Sequence, residues 1–211
     1  MLLPIILLSL YVSGVALLFA SLAGIPLGAL LALRPFPGRR FIELLIYTGM
    51  GLPPVVVGLV VYMLLSRSGP LGTLRWLFTP AGMIVAQVII ALPLVIGLTA
   101  SAVESVDPTL RLQVRALGAS PRQVMWTVLR EARLGVLAAV VAAFGSVISE
   151  VGAVMLVGGN IEGETRVLTT AIVLETRKGN FEFALALGGI LLALALAANF
   201  LLLRLGRPRP A

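Results

Sequence analysis

The sequence contains no cysteine and no histidine, and it is poor in charge, with sixteen basic and nine acidic residues among 211. Without cysteine there are no disulfides, thiolate metal sites or thiol nucleophiles, and the redox compartment is left open. Without histidine the commonest general base and the commonest metal ligand are both missing. Charged residues make up 12%, about half the roughly one quarter of an ordinary soluble domain. Hydrophobic residues reach 59% before the 22 glycines are counted, and the mean hydropathy is +1.09. A soluble core of this length could not hide that much apolar surface. The net charge of +7 is spread thinly between long uncharged stretches, which excludes a nucleic-acid-binding face. What is present is a polytopic all-α membrane protein whose surroundings are the lipid bilayer, a conduit rather than a catalyst.

A spanning helix needs about 20 mostly apolar residues. Five stretches qualify: 2–33, 41–65, 81–103, 134–157 and 183–203. The first has no preceding basic residue and far exceeds a cleavable signal core, so it reads as a retained span. The segments after spans one, three and five carry eleven Lys and Arg residues, Arg207 and Arg209 included, against five on the other side. That bias predicts an external N-terminus and a cytoplasmic C-terminus. Small residues recur in the spans, notably Gly24 and Gly28, and Gly188 and Gly189, where helix backbones could approach within the chain or across a dimer. No internal repeat is visible. Five spans enclose little space, so a pore calls for two copies.

The segment 107–133, predicted cytoplasmic, carries the most information. Asp107 and Pro108 predict a helix start, Leu110, Val114 and Leu117 one apolar face, and Gly118 a left-handed helix end. Ser120-Pro121-Arg122-Gln123 predicts a second start with a capping box. Two short helices would meet at a Gly-Ala-Ser-Pro corner flanked by Arg115, Ala116, Leu117 and Arg122. The corner could lie on anionic headgroups or enter a groove of a soluble partner.

Inside the bilayer Glu150 is the only ionisable residue far from a span end, and a charge there must face protein or water. With Ser146 one turn before it and Ser149 alongside, it suggests a polar stripe, either a pore lining or gate or an interhelical hydrogen bond. In span two, Thr48-Gly49-Met50-Gly51-Leu52-Pro53-Pro54 must break the helix. The broken backbone could meet an oxyanion or simply accommodate a neighbouring helix. The segment from Gly158 through Asn160 to Thr165 has the glycine spacing of a phosphate-binding loop, but Glu164 replaces the lysine and no strand–helix domain surrounds it. Nucleotide binding by this chain is therefore rejected.

The 107–133 segment resembles the EAA coupling loop of ABC-importer permeases: Gly118 occupies the loop glycine, followed by Ala119-Ser120-Pro121. It departs where Leu112-Gln113-Val114 replaces Glu-Ala-Ala and where Val128-Leu129-Arg130-Glu131 replaces Ile-x-Leu-Pro. Leu52 to Gly58, Ala91-Leu92-Pro93, Ser149 to Ala153 and Gly159 to Arg166 are similar to permeases of the molybdate, tungstate and sulfate group. Thr169 to Ile172 and Gly179 to Glu182 look closest to the tungstate branch. The resemblance implies a single transmembrane domain of a type I importer in a prokaryotic cell membrane, working as a homodimer with two cytoplasmic ATPase subunits and an external substrate-binding protein. It implies tungstate as substrate, with molybdate or sulfate as alternatives, and no cofactor in this chain, ATP and magnesium belonging to the ATPase. It makes 115–122 the coupling corner, and Asn160 part of an external gate. Members of the family often have an additional N-terminal segment, which a chain beginning at Met1-Leu2-Leu3-Pro4 is expected to lack. Two other classes compete. A stand-alone secondary transporter would need coupling-ion residues, and an enzyme would need a catalytic set that one membrane carboxylate does not supply.

Overall fold

The structure, a computed structural model, describes residues 2–206, which are helical or irregular with no strand among them. Arg207 and Arg209, both counted in the charge bias, lie outside the described residues. Ten helices follow in chain order: α1 (Leu2–Leu33), α2 (Arg39–Met50), α3 (Pro54–Leu65), α4 (Pro80–Glu104), α5 (Pro108–Ala116), α6 (Pro121–Glu131), α7 (Arg133–Ile148), α8 (Gly152–Gly158), α9 (Leu168–Arg177) and α10 (Phe181–Gly206). Three of them, α1, α4 and α10, are long and apolar enough to cross a membrane. Two bent pairs bring the total to five if each counts as one span.

The central element is α4, against which α1, α2, α3, α7 and α8 all pack. Its principal seam is with α1, and that seam is built from small residues. A Cβ on Gly24 would lie 2.8 Å from Val95 Cγ1, and one on Gly28 would lie 2.5 Å from the Ile96 carbonyl oxygen. Ala16, Ala20, Ala29 and Ala91 are fully buried at the same depth of packing. Because lipid competes equally well for apolar groups, such close backbone approach supplies the dispersion contact that holds the helices together. Gly24 and Gly28 therefore serve packing within the chain. Gly188 and Gly189 of α10 are different: nothing lies within 4 Å of a Cβ built there.

The second stretch breaks where its prolines stand. α2 and α3 are bent by 100°. Pro54 confines Pro53 to extended backbone (φ −61°, ψ 122°), and neither ring nitrogen can donate.

The fourth stretch corrects the expectation of one continuous helix over 134–157. It is interrupted at 149–151, between α7 and α8. α7 alone spans about 24 Å at 1.5 Å per residue, short of a roughly 30 Å hydrocarbon core, and α8 adds about 10 Å beyond the break. The causes are local. The Ser149 hydroxyl turns back to donate to the Gly145 carbonyl (2.7 Å), and the Glu150 carboxylate begins a new helix by accepting from Ala153 N–H (2.9 Å).

The basic segments after α1 and around α5–α6 gather at one end of the bundle. There Arg39 bridges Glu43 and Glu104, and an Arg111 Nη2 donates to the Val103 carbonyl at 2.9 Å. Beneath them an apolar cluster joins Ala29 and Leu31 of α1, Val103 of α4, and Val124, Val128 and Leu129 of α6. The 158–167 turn and the loop after α3 occupy the opposite end, where Phe78 N–H donates to the Val157 carbonyl (2.8 Å).

Candidate functional site

Two features at different depths make up the site. The first is the corner between α5 and α6. Asp107 caps α5, accepting from the Thr109 amide at 2.8 Å and from its hydroxyl, and those two donors hold its carboxyl below the ordinary aspartate range. Gly118 closes the helix at φ +83°, in the left-handed region that glycine enters without steric cost, with its N–H on the Arg115 carbonyl (2.9 Å). Ser120 and Gln123 then form the reciprocal capping box of α6, with Ser120 N–H on Gln123 Oε1 at 2.7 Å.

The apolar face expected from Leu110, Val114 and Leu117 divides. Leu110 and Val114 pack against the cluster at the basic end, whereas Leu117 is 88% exposed. Leu117 still donates its amide to the Gln113 carbonyl (3.1 Å), but it stands at the last turn of α5, past the edge of the cluster that covers Leu110 and Val114. Trp126 of α6 and Leu112 of α5 are also exposed, at 68% and 64%. Arg115, Ala116, Ser120, Pro121 and Arg122 are exposed as well, while Ala119 is half-buried against the cluster. The tip thus presents apolar side chains among arginines.

The second feature is a pair of helix breaks that tertiary packing brings side by side. α3 lies against α8: a Cβ on Gly58 would stand 2.5 Å from Ala153 Cα, and Gly152 abuts the Val55 side chain. The Pro53–Pro54 break and the Ser149–Val151 break are therefore neighbours. Thr48 at the end of α2 is exposed, with its hydroxyl donating to the Leu44 carbonyl (2.7 Å). Pro53 and Ser149 are exposed, Pro54 and Ser146 half-buried.

Glu150 does not continue a polar stripe from Ser146 and Ser149, because the helix that would align them has ended. It is 9% exposed and faces α8, while the Thr169 hydroxyl donates to its carbonyl oxygen at 2.9 Å. Its visible work is to cap one helix and tie the break to α9. Replacement by glutamine keeps a carbonyl acceptor for Ala153, so Glu150→Gln is expected to melt close to the wild type. Glu150→Leu leaves a buried N–H unpaired, at about 1–3 kcal/mol. Thermal unfolding of the purified chain measures both, and an unchanged midpoint for Glu150→Leu would remove the capping role.

Asn160 is separated from the breaks by the length of α8. It follows Gly159, adopts φ +53°, and its buried Oδ1 has no hydrogen-bond partner among the described residues. The glycine-spaced segment around it is an internally closed turn. The amides of Glu164, Thr165 and Arg166 all donate to the Ile161 carbonyl, and the buried Thr165 hydroxyl donates to Gly158 O (2.6 Å) while accepting from Ile161 N–H (2.9 Å). Amides committed in this way do not cradle a phosphate.

Gln87 was not singled out by the sequence reading. It is 3% exposed on α4, and its Nε2 donates to the Val147 carbonyl at 2.9 Å, holding the last turn of α7 just ahead of the break. A lone amide in an otherwise apolar stretch was the available signal. Ser9, which accepts from Leu168 N–H (2.8 Å), ties α1 to α9 and was hidden among the small residues of α1.

A bundle of bent and broken apolar helices, carrying an arginine-flanked apolar corner at one end, defines a polytopic transport subunit. The chain belongs to the family of binding-protein-dependent transport system inner membrane components, whose model matches residues 24–208. As a member it is a non-enzymatic permease subunit of an ABC transporter, located in the inner membrane. It is 50% identical to a probable anion ABC transporter permease protein of Haloferax volcanii, across 92% of this chain and 85% of that one. The tungstate uptake system permease protein TupB of Peptoclostridium acidaminophilum is 42% identical, over 92% and 86% of the two chains. The molybdenum transport system permease protein ModB of Escherichia coli K12 is 33% identical, over 79% and 76%. Among solved structures, an inward-facing MetNI methionine ABC transporter superposes with a TM-score of 0.75 at 20% identity, covering 95% of this chain and 94% of that one, which establishes a shared fold.

Proposed function

We propose that this chain is the membrane subunit of an ATP-driven importer for a tetrahedral oxyanion, tungstate first, with molybdate or sulfate as the alternatives. Two copies form the pathway, two cytoplasmic ATPase subunits drive it, and an external binding protein delivers the anion. ATP and magnesium act on the ATPase and not on this chain. The observation that carries the reading is the corner at Gly118: a rigid, doubly capped turn whose apolar tip, Leu117, is 88% exposed among arginines. Such a knob suits a groove on a partner protein, and closure of two ATPases would draw two such knobs together. In this reading the adjacent breaks border the pathway, with Thr48, Pro53, Pro54, Ser146 and Ser149 along it. Glu150 braces the gate from behind, and Asn160 belongs to the outer turn. Reconstitution with the neighbouring ATPase and binding protein tests the assignment. ATP-dependent uptake of tungstate in preference to sulfate is expected, and ATP-independent uptake would overturn it.

The same reading orients the chain with its N-terminus outside and the α5–α6 corner in the cytoplasm. Single cysteines at positions 39 and 178, in a chain with none of its own, report this directly. An impermeant thiol reagent is expected to label position 178 from outside intact cells and position 39 only after lysis. Labelling of position 39 from outside would reverse the topology.

A further inference from the structure

The loop between α3 and α4 is built unlike a passive connector. From Ser66 to Thr79 it contains no acidic residue and two arginines, Arg67 and Arg75. With the end of α3 it borders an open cavity of about 1000 Å³, lined by Tyr62, Ser66, Arg67, Thr73, Arg75 and Phe78, with Arg67, Thr73 and Arg75 exposed to it. Neither arginine has an acidic partner among the described residues, whereas at the same end Arg166 pairs with Glu162 and Lys178 with Glu175. The Thr73 hydroxyl likewise makes no hydrogen bond among the described residues, while the Ser66 hydroxyl already donates to the Met63 carbonyl (2.9 Å).

The backbone is held in a costly shape around this cavity. Three non-glycine residues of the described chain have positive φ; two of them, Arg75 (+53°) and Phe78 (+60°), are in this loop, and the third, Asn160, follows Gly159, which abuts the Phe78 ring. Left-handed backbone in bulky residues persists only where surrounding contacts enforce it. Those contacts are visible. Leu71 N–H returns to the Leu64 carbonyl (2.9 Å) and Phe78 N–H is held by Val157 (2.8 Å). The Tyr62 and Phe78 rings meet edge to face at 6.2 Å. Gly69 and Gly72 let the loop fold so closely onto the end of α3 that a Cβ on either would collide with carbonyl oxygens of Met63 and Ser66.

From this we infer that the loop cavity is an anion-capture site of the permease itself, taking a free tetrahedral oxyanion through the guanidinium groups of Arg67 and Arg75 and the Thr73 hydroxyl. A planar guanidinium fork matches two oxygens of a tetrahedral dianion, and the acid-free stretch leaves the anion as the missing partner of both arginines. Unpaired cations at this end of the bundle also raise the local anion concentration there. The inference rests on the oxyanion and the outward orientation proposed above, and it adds a site distinct from the helix breaks.

The test uses the full chain in nanodiscs of zwitterionic lipid, with tungstate as the probe and bound tungsten measured by equilibrium dialysis. The wild type is expected to bind saturably, with binding weakening as chloride rises. Arg67→Gln with Arg75→Gln is expected to weaken it at least tenfold, and lysine at both positions to restore part of the loss. Arg75→Gly serves as a fold-safe companion, because glycine accepts the left-handed backbone while deleting the charge. It is expected to bind more weakly at an undiminished melting temperature. Absence of saturable binding in the wild type, or unchanged binding in the double glutamine variant, overturns the site. So does a loss confined to co-purification with the external binding protein, which would make the loop a docking surface. Tungstate uptake by the complete transporter is measured in parallel. No uptake with the wild-type subunit sinks the transport reading, whereas normal uptake with undiminished binding in the variant sinks only this site.

Discussion

Leu117→Glu is expected to insert and fold like the wild type and yet to lose its ATPase partner, along with substrate-stimulated ATP hydrolysis. The side chain is 88% exposed, so nothing inside the subunit depends on it. Seated in an apolar groove, a glutamate would be an unpaired buried charge, which costs about 3–5 kcal/mol. At 1.4 kcal/mol per tenfold, that weakens the contact by at least about a hundredfold. Ala119, beside it, is a poorer probe, because it is half-buried against the cluster of Val124 and Val128 and a charge there disturbs the subunit itself. Gly118 is poorer still, since any side chain at φ +83° is strained. If the corner only rested on lipid headgroups, Leu117→Glu would co-purify with the ATPase at wild-type yield and still transport. That outcome would refute docking at this tip.

The second large effect is expected at Gly28. A valine there would set its Cβ 2.5 Å from the Ile96 carbonyl oxygen and 2.9 Å from Thr99 Cβ, against backbone that cannot rotate away. Overpacking of this kind costs roughly 1–3 kcal/mol, and the upper end applies where the obstacle is main chain. For a chain of this size a loss of about 3 kcal/mol corresponds to roughly 6–12 °C in melting temperature. Gly188→Val is the matched control, because nothing lies within 4 Å of that position inside the subunit. Detergent-solubilised Gly28→Val is expected to melt early and Gly188→Val to melt like the wild type. A normal melting temperature for Gly28→Val would show that the α1–α4 seam does not hold the bundle. A drop for Gly188→Val that appears only at concentrations supporting association would place α10 against a second copy.

These glycines illustrate where sequence reading stops. Gly24 with Gly28 and Ala184 with Gly188 both have small residues four apart, and only the neighbour decides which glycines matter: Val95 and Ile96 lie against Gly24 and Gly28, nothing against Gly188. The same holds for Leu117. Its spacing from Leu110 and Val114 places it on their face of an ideal helix, but the cluster that covers those two does not reach as far as the last turn of α5. Glu150 shows the limit for polar groups. An isolated carboxylate in an apolar stretch signals a constrained environment, but whether it lines a stripe or caps a helix depends on a backbone break that Ser149 and Thr169 help to hold.

What the sequence determined by itself was everything governed by composition and by interactions a few residues apart. The apolar runs dictated helices in lipid, because unpaired backbone is intolerable there. Pro53 and Pro54 dictated the first break, and Asp107, Gly118 and the Ser120–Gln123 box dictated the corner, since side-chain caps and a glycine's left-handed turn depend on adjacent groups. Only the tertiary structure decided that the two breaks lie side by side, that Gln87 reaches the Val147 carbonyl 60 residues away, and that Ser9 holds α9 from 159 residues away. It also decided that Arg75 and Phe78 are forced into left-handed backbone around a basic cavity. Those features arise from contacts distant in the chain, and a spacing pattern read along one strand of sequence carries no record of which faces will meet.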